Sequence, residues 1–269
     1  MLNSESIKAR NNVKVIGSGS KTLLFGHGFG CDQNMWRFLT PYLEKQFKIV
    51  LFDYVGSGNS DISQYNKQRY KKLEGYALDV IEVCTELNLS DVVFVGHSVS
   101  GMIGALAAVE RPDLISKLIM VCPSPCFLNF PPDYQGGFDK EDLQELLSLM
   151  DKNYIGWADY LAPLVIGNTN SAELIGELSG SFCSTDPVIA KNFAEATFFS
   201  DYRFLLTKII QPTLILQSED DALADVSVGQ YIEKEIQSSS LVVISAQGHC
   251  LQMTHPEVVS QSIIDYVKQ

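Results

Sequence analysis

Val92-Val93-Phe94-Val95-Gly96-His97-Ser98-Val99-Ser100-Gly101 is the stretch on which the reading of this chain turns. Four apolar residues make a short buried strand, a glycine and a serine mark a tight turn, and Met102–Val109, apolar throughout, reads as a buried helix. Strand, serine-bearing turn and helix in direct succession form the context in which a strained backbone lifts a hydroxyl clear of the carboxyl end of a sheet. The usual pattern is G-x-S-x-G. Here Ser100 replaces the second glycine, a position that needs a small residue because strand and helix approach closely there. Ser98 is therefore the candidate nucleophile.

Outward from this stretch, short apolar runs alternate with amphipathic ones, the pattern of an α/β fold with a mostly parallel central sheet flanked by helices. Strands are expected at Lys21–Phe25, Phe47–Phe52, Val92–Val95, Lys117–Val121, Thr213–Gln217 and Leu241–Ile244, each apolar on both faces as strands covered from two sides are. Helices are expected at Leu73–Leu87, Met102–Val109, Ser227–Ile236 and Glu257–Val267. The alternation stops between residues 124 and 207. That region opens with prolines and Gly136-Gly137, then carries helical patterns near Lys140–Met150, Tyr154–Val165, Ser171–Phe182 and Pro187–Phe198, the last with Asp186 as N-cap and Pro187 at the first helical position. Four helices between two sheet strands predict a lid. The expected organisation is a core from 1–123 and 208–269 with a helical lid, 124–207, inserted in it. The lid is rich in aromatic side chains, some of which are expected to line a cavity.

A serine hydroxyl needs a base. Of the four histidines, His249 follows the last strand, at the sheet edge where Ser98 emerges. His27 lies in a glycine loop, His97 adjoins Ser98 and is expected to point elsewhere, and His255 precedes Pro256. The base needs an orienting acid, and Glu219, Asp220, Asp221 and Asp225 all follow the strand Thr213–Gln217. Spacing does not choose between Asp220 and Asp221. Two backbone N–H groups are needed for the developing oxyanion: Val99, next to the nucleophile, and Phe29, in Gly26-His27-Gly28-Phe29-Gly30 after an earlier strand. A dinucleotide loop is a rival for that segment, but the third glycine of G-x-G-x-x-G would fall at Cys31. Asp53 to Ser60 lacks the pattern as well and reads as a tight loop at the sheet edge. No Walker motif or metal-binding pair is present, so no cofactor is implied.

Hydrophobic residues make up 46% of the 269-residue chain and charged residues 19%, enough for a large core. The net charge of −12, from 20 Lys and Arg against 32 Asp and Glu, argues against nucleic acid or an anionic membrane as the main partner. No run of about 18 apolar residues exists to span a bilayer. Met1 to Asn12 is polar and lacks a signal-peptide stretch, so a cytoplasmic location is expected. The six scattered cysteines do not suggest a disulfide framework. Cys122 and Cys126 form a lone C-x3-C, a poor zinc site, and read as small core residues.

Taken together, HGFGCDQNMW (27–36), FDYVGSGNSD (52–61), GHSVSGMIG (96–104), PSPCFLN (123–129), GGF (136–138), NYIGWA (153–158), FCSTDP (182–187), FFSD (198–201), LILQSEDD (214–221) and GHCLQMTHP (248–256) resemble the RsbQ group of α/β-hydrolases. These are bacterial stress-response regulators related to plant strigolactone and karrikin receptors. The resemblance runs from about residue 11 to the C-terminus. It implies the α/β-hydrolase fold, a triad of Ser98, His249 and Asp221, oxyanion donors at Phe29 and Val99, and a four-helix lid forming a V over a deep apolar pocket. By position it implies Phe127, Phe138, Trp157 and Phe198 as pocket walls. It departs at Asp225, where the family often has proline.

Two functional expectations follow. The first is a serine hydrolase of a small, largely apolar ester or butenolide-type lactone. The second is a ligand-sensing regulator that binds a PAS-type sensor phosphatase controlling a stress sigma factor, with turnover secondary. A dehalogenase or epoxide hydrolase is disfavoured, because those enzymes need an aspartate where Ser98 stands.

Overall fold

The computed structural model describes residues 4–269. Met1, Leu2 and Asn3, the start of the polar N-terminus read above, lie outside the described residues. Seven strands form the sheet: β1 (Lys14–Ile16), β2 (Thr22–Gly26), β3 (Lys48–Leu51), β4 (Val92–His97), β5 (Ile115–Val121), β6 (Thr213–Asp220) and β7 (Ser239–Gln247). The helices are α1 (Ser4–Arg10), α2 (Thr40–Leu43), α3 (Leu73–Glu86), α4 (Val99–Glu110), α5 (Lys140–Lys152), α6 (Tyr154–Ile166), α7 (Ala172–Ser184), α8 (Pro187–Phe198), α9 (Arg203–Leu206), α10 (Val226–Glu235), α11 (Leu251–Thr254) and α12 (Pro256–Val267).

The strand order is β1-β3-β2-β4-β5-β6-β7, with β1 antiparallel to β3 and every other pair parallel. The chain runs outward from β2 to β3 and then returns to the other side of β2 as β4. The β2/β4 boundary is thus the topological switch point, where parallel sheets open a crevice at their carboxyl ends. Gly26 is directly paired with Gly96 there, so the glycine loop and the serine turn leave the sheet side by side. Asp221 and His249 follow β6 and β7, farther along the same edge.

Alternation along the strands builds two cores. Leu23, Phe25, Val93, Val95, Ile119 and Val121 pack toward α2, α12 and much of the helical insertion, whereas Leu24, Phe52, Val92, Phe94, Leu118 and Met120 pack toward α3, α4 and α10. All six expected strands and all eight expected helices form, with ends that move by up to a few residues. Two departures have physical reasons. The edge strand β1 escaped notice because three half-exposed residues carry no apolar pattern. The last strand is not covered on both faces: Val242 and Val243 are 40% and 44% exposed, because β7 closes the open end of the sheet.

Between β5 and β6 the chain forms α5 to α9, and apart from isolated bridges such as Leu128 with Phe138 this stretch contains no strand. Asp186 caps α8 as its position predicts, accepting from the N–H groups of Val188 and Ile189.

A buried ionic knot ties α1 and the loop before α3 to α3. Asp79, fully buried, accepts from Arg69 at 2.7 Å, Tyr70 Oη at 2.9 Å, Asn11 at 3.2 Å and the Val55 N–H at 3.2 Å, and pairs with Arg10 at 3.3 Å. Removing Asp79 leaves the buried Tyr70 hydroxyl and the Val55 N–H without this acceptor, takes one acceptor from the Asn11 amide, and leaves the buried Arg10 with Glu82 as its remaining carboxylate partner. Asp79→Ala is expected to lower unfolding stability by about 3–5 kcal/mol, read as a lower urea midpoint at constant slope. A loss below about 1 kcal/mol, the level of a surface pair, would contradict this account.

Candidate active site

The turn after β4 holds Ser98 at φ 54°, ψ −123°, a conformation that costs a non-glycine residue on the order of 1–3 kcal/mol. The surroundings enforce it. The Ser98 N–H donates to Val121 O at 2.8 Å, and Gly96 lets α4 close in: a Cβ there would sit 2.4 Å from Ser100 O. Helix α4 begins at Val99, whose N–H is among those left without a partner at a helix start.

The loop after β7 brings His249 to this hydroxyl. Ser98 Oγ donates to His249 Nε2 at 2.7 Å, and His249 Nδ1 donates to Asp221 Oδ2 at 2.7 Å. The approach depends on Gly248 at φ +100°, where a Cβ would meet Ile166 O at 2.0 Å. The His249 N–H in turn donates to Val165 O at 2.6 Å, so helix α6 holds the backbone of His249. The other carboxylate oxygen, Asp221 Oδ1, accepts from the N–H groups of Leu223 at 2.9 Å and Ala224 at 3.2 Å. Among the acids that compete by sequence, Asp221 therefore faces the histidine. Asp220 bonds Gln247 at the surface, Glu219 bonds Ser245, and Asp225 caps α10. Ser98, Asp221 and His249 are 6%, 9% and 2% exposed, a dry setting in which such hydrogen bonds strengthen.

Over the serine lies a narrow, mainly apolar cavity lined by Phe29, Phe127, Leu161, Leu178, Thr197 and Phe198, among others. Helices α6, α7 and α8 supply one side of it. Phe127 and Phe198 stand at the cavity, with ring centroids 5.1 Å apart. Trp157 and Phe138 do not, which corrects the expectation that both are walls. Trp157 packs behind the lining, edge-on to Phe29 at 6.0 Å and tilted against Phe182 at 5.1 Å. Phe138 lines a separate outer groove with Leu146 and Tyr160. Leu161 and Leu223 border both spaces and so divide them. A helix can turn a bulky side chain to either surface, and sequence position alone does not say which.

His97 also departs from expectation. It borders the cavity, and its Nε2 donates to His249 O at 2.9 Å, so it braces the backbone of His249. Neighbouring strand residues normally point to opposite faces, but the strained turn at Ser98 breaks that alternation, and no sequence signal marks the exception. Burial and then the adjacent His249 push the His97 imidazole well below its usual range, so it stays neutral. His27 is likewise lowered by burial.

Cys122, Asp221 and His249 offer donor atoms within 4.8 Å of one another. A soft cation could enter this group only by displacing the His249–Asp221 hydrogen bond. Burial, with the charge of Asp221, pushes the Cys122 thiol well above its usual range, which keeps it protonated. Among the described residues, no helix is long and apolar enough to cross a membrane.

Residues 21–256 match the model of a family described as alpha/beta hydrolase fold. The chain is 40% identical over 262 residues to karrikin insensitive 2 receptor IA of Petunia hybrida, covering 97% of this chain and 95% of that protein. It is 34% identical over 251 residues to strigolactone esterase D14 of Arabidopsis thaliana, covering 93% of each. The solved structure of a hydrolase from Oleispira antarctica is similar with a TM-score of 0.98 at 56% identity, over 100% of this chain and 98% of that one.

Proposed function

The chain belongs to the α/β-hydrolase family, and from that membership and the hydrogen-bonded line Ser98–His249–Asp221 we propose that it is a serine hydrolase of small, largely apolar esters or lactones. The unbroken 2.7 Å contacts carry the reading, because they join a nucleophile, a base and an orienting carboxylate in one line. Ser98 Oγ attacks the carbonyl while its proton passes to His249 Nε2. The oxygen that becomes negative is held by the N–H groups of Phe29 and Val99. On collapse the leaving alkoxide or enolate takes the proton from His249. For a lactone the leaving group stays tethered to the acyl chain. Water, deprotonated by the same histidine, then releases the acid. The narrow, mainly apolar lining supports a small substrate without formal charge.

A second reading has an observation of its own: the relative sharing 40% of its residues with this chain is named a receptor, not an esterase. On that reading the triad acts slowly on a ligand, helices α5 to α8 act as a lid that reports occupancy, and the output is a regulatory partner. A PAS-type sensor phosphatase of a stress pathway, as in the RsbQ-like group, is the partner this reading names.

The two readings separate in one experiment. The protein is offered a short-chain nitrophenyl ester and a fluorogenic butenolide, and its intact mass is recorded during each reaction. Multiple turnovers with only transient acylation support the hydrolase. A lasting adduct at about one equivalent of product supports the receptor. Neither product nor adduct, with the protein folded, would overturn both.

A further inference from the structure

The serine at the second glycine position of the turn does more than fit. Ser100 Oγ donates to His27 O at 2.5 Å, and because its one hydrogen is spent there, Tyr54 Oη must be the donor in the 2.8 Å contact with Ser100 Oγ. Burial pushes the Tyr54 phenol up, so it stays protonated for that role. The next link is the His27 ring. Its Nε2 accepts from the Tyr54 N–H at 3.2 Å, which leaves the proton on Nδ1, and Nδ1 donates to Gly28 O at 2.9 Å. Gly28 O also receives the Cys31 N–H at 3.3 Å.

Gly28 C=O and Phe29 N–H belong to the same peptide unit. In a trans peptide the two point in opposite directions, and the one cis bond among the described residues is Pro131–Pro132. Whatever holds Gly28 O therefore aims Phe29 N–H the opposite way. The loops after β2 and β3 and the first turn of α4 are laced together at this point. Gly26 makes room for the lacing: a Cβ there would meet Tyr54 Oη at 2.6 Å and Ser100 Cβ at 3.2 Å.

We propose that Ser100 and His27 are positioning residues for the oxyanion site: the Ser100 hydroxyl anchors His27 O, the His27 ring anchors Gly28 O, and together they hold the Phe29 N–H on the carbonyl oxygen that Ser98 attacks. Neither side chain touches substrate. A glycine at position 100 would leave His27 O without this donor and the Tyr54 hydroxyl without this acceptor, so the departure from G-x-S-x-G is a functional substitution. This inference rests on the hydrolase reading of Ser98.

The test compares wild type with Ser100→Ala, Ser100→Gly and Ser100→Thr. Two quantities are read: steady-state hydrolysis of nitrophenyl acetate, and affinity for phenylboronic acid, which adds reversibly to a serine hydroxyl as a tetrahedral anion. Loss of one oxyanion donor outright costs on the order of 10²–10³ in rate; a misaimed donor is expected to cost about tenfold to a hundredfold. Alanine and glycine should lower kcat and boronate affinity by the same factor, with KM and the pH profile unchanged, and threonine should restore both. Tyr54→Phe, which removes one link but spares the Ser100–His27 bond, should lose only a few-fold.

A kcat within twofold of wild type in Ser100→Ala would overturn the proposal. So would a loss that threonine does not restore, or a shifted pH profile. If Ser100→Ala does not fold, Tyr54→Phe and Ser100→Thr carry the same comparison. If wild type hydrolyses no ester, the functional reading fails, while the boronate affinities still decide this one; wild type that binds no boronate would overturn it.

Discussion

Ser98→Ala should reduce kcat for a short-chain ester by on the order of 10⁵–10⁶ while the protein stays folded. Alanine removes the nucleophile and leaves the oxyanion donors and the pocket, which by themselves retain roughly 10³–10⁴ over the reaction in water. Folding is expected to survive, because the turn is held by backbone groups. The N–H of residue 98 donates to Val121 O, and the close approach of α4 depends on Gly96. Alanine at φ 54° carries about the same strain as serine. Initial rates at saturating ester, a melting curve and the intact mass after reaction with a fluorophosphonate check all three points. Wild type should gain one adduct, on Ser98, and the variant none. Residual activity above about 1% would move the chemistry to another group at the cavity, with Cys31 and Cys250 the first to examine.

Asp221→Asn should cost about 10⁴ in kcat near neutral pH, as loss of the orienting carboxylate does in such triads, and the reason can be traced atom by atom. Oδ1 accepts from the Leu223 and Ala224 N–H groups. In the asparagine variant these two donors hold the amide oxygen in that place, so the NH₂ group faces His249. A donor opposite Nδ1 forces the imidazole proton onto Nε2, where it points at Ser98 Oγ and blocks proton transfer. Asp220→Asn is the control. Asp220 lies on the surface against Gln247, and its substitution should leave kcat within about twofold, typical of a surface change. Equal losses in the two variants, or a larger one at Asp220, would reverse the assignment of the acid.

The legible part of the protein was the part governed by local pattern. Continuous apolar runs such as Val92–Val95 and Thr213–Gln217 gave the strands their places, and the capping pair Asp186-Pro187 marked the start of α8 correctly. Side-chain direction was harder. Phe127 and Phe198 face the cavity while Phe138 and Trp157 do not, although all four are large aromatics of the same segment. His97 was expected to turn away from the site and instead braces the base. The short β1 gave no signal, because three residues at a half-exposed edge need no apolar alternation.

By itself, then, the sequence determined the order of six strands and the eight longer helices, the serine turn, the glycine loop and the chemical types that end beside the sheet edge, because backbone preference and hydrophobic period act over a few residues. Only the tertiary structure decided among Asp220, Asp221 and their neighbours as geometry, set the tautomers of His27 and His97, and linked Tyr54, Ser100 and His27. Each of those outcomes depends on which donor meets which acceptor across 27 to 152 residues of chain. A hydrogen bond needs placement to a few tenths of an ångström, and that precision exists only once the loops after β2, β3, β4, β6 and β7 are packed against one another.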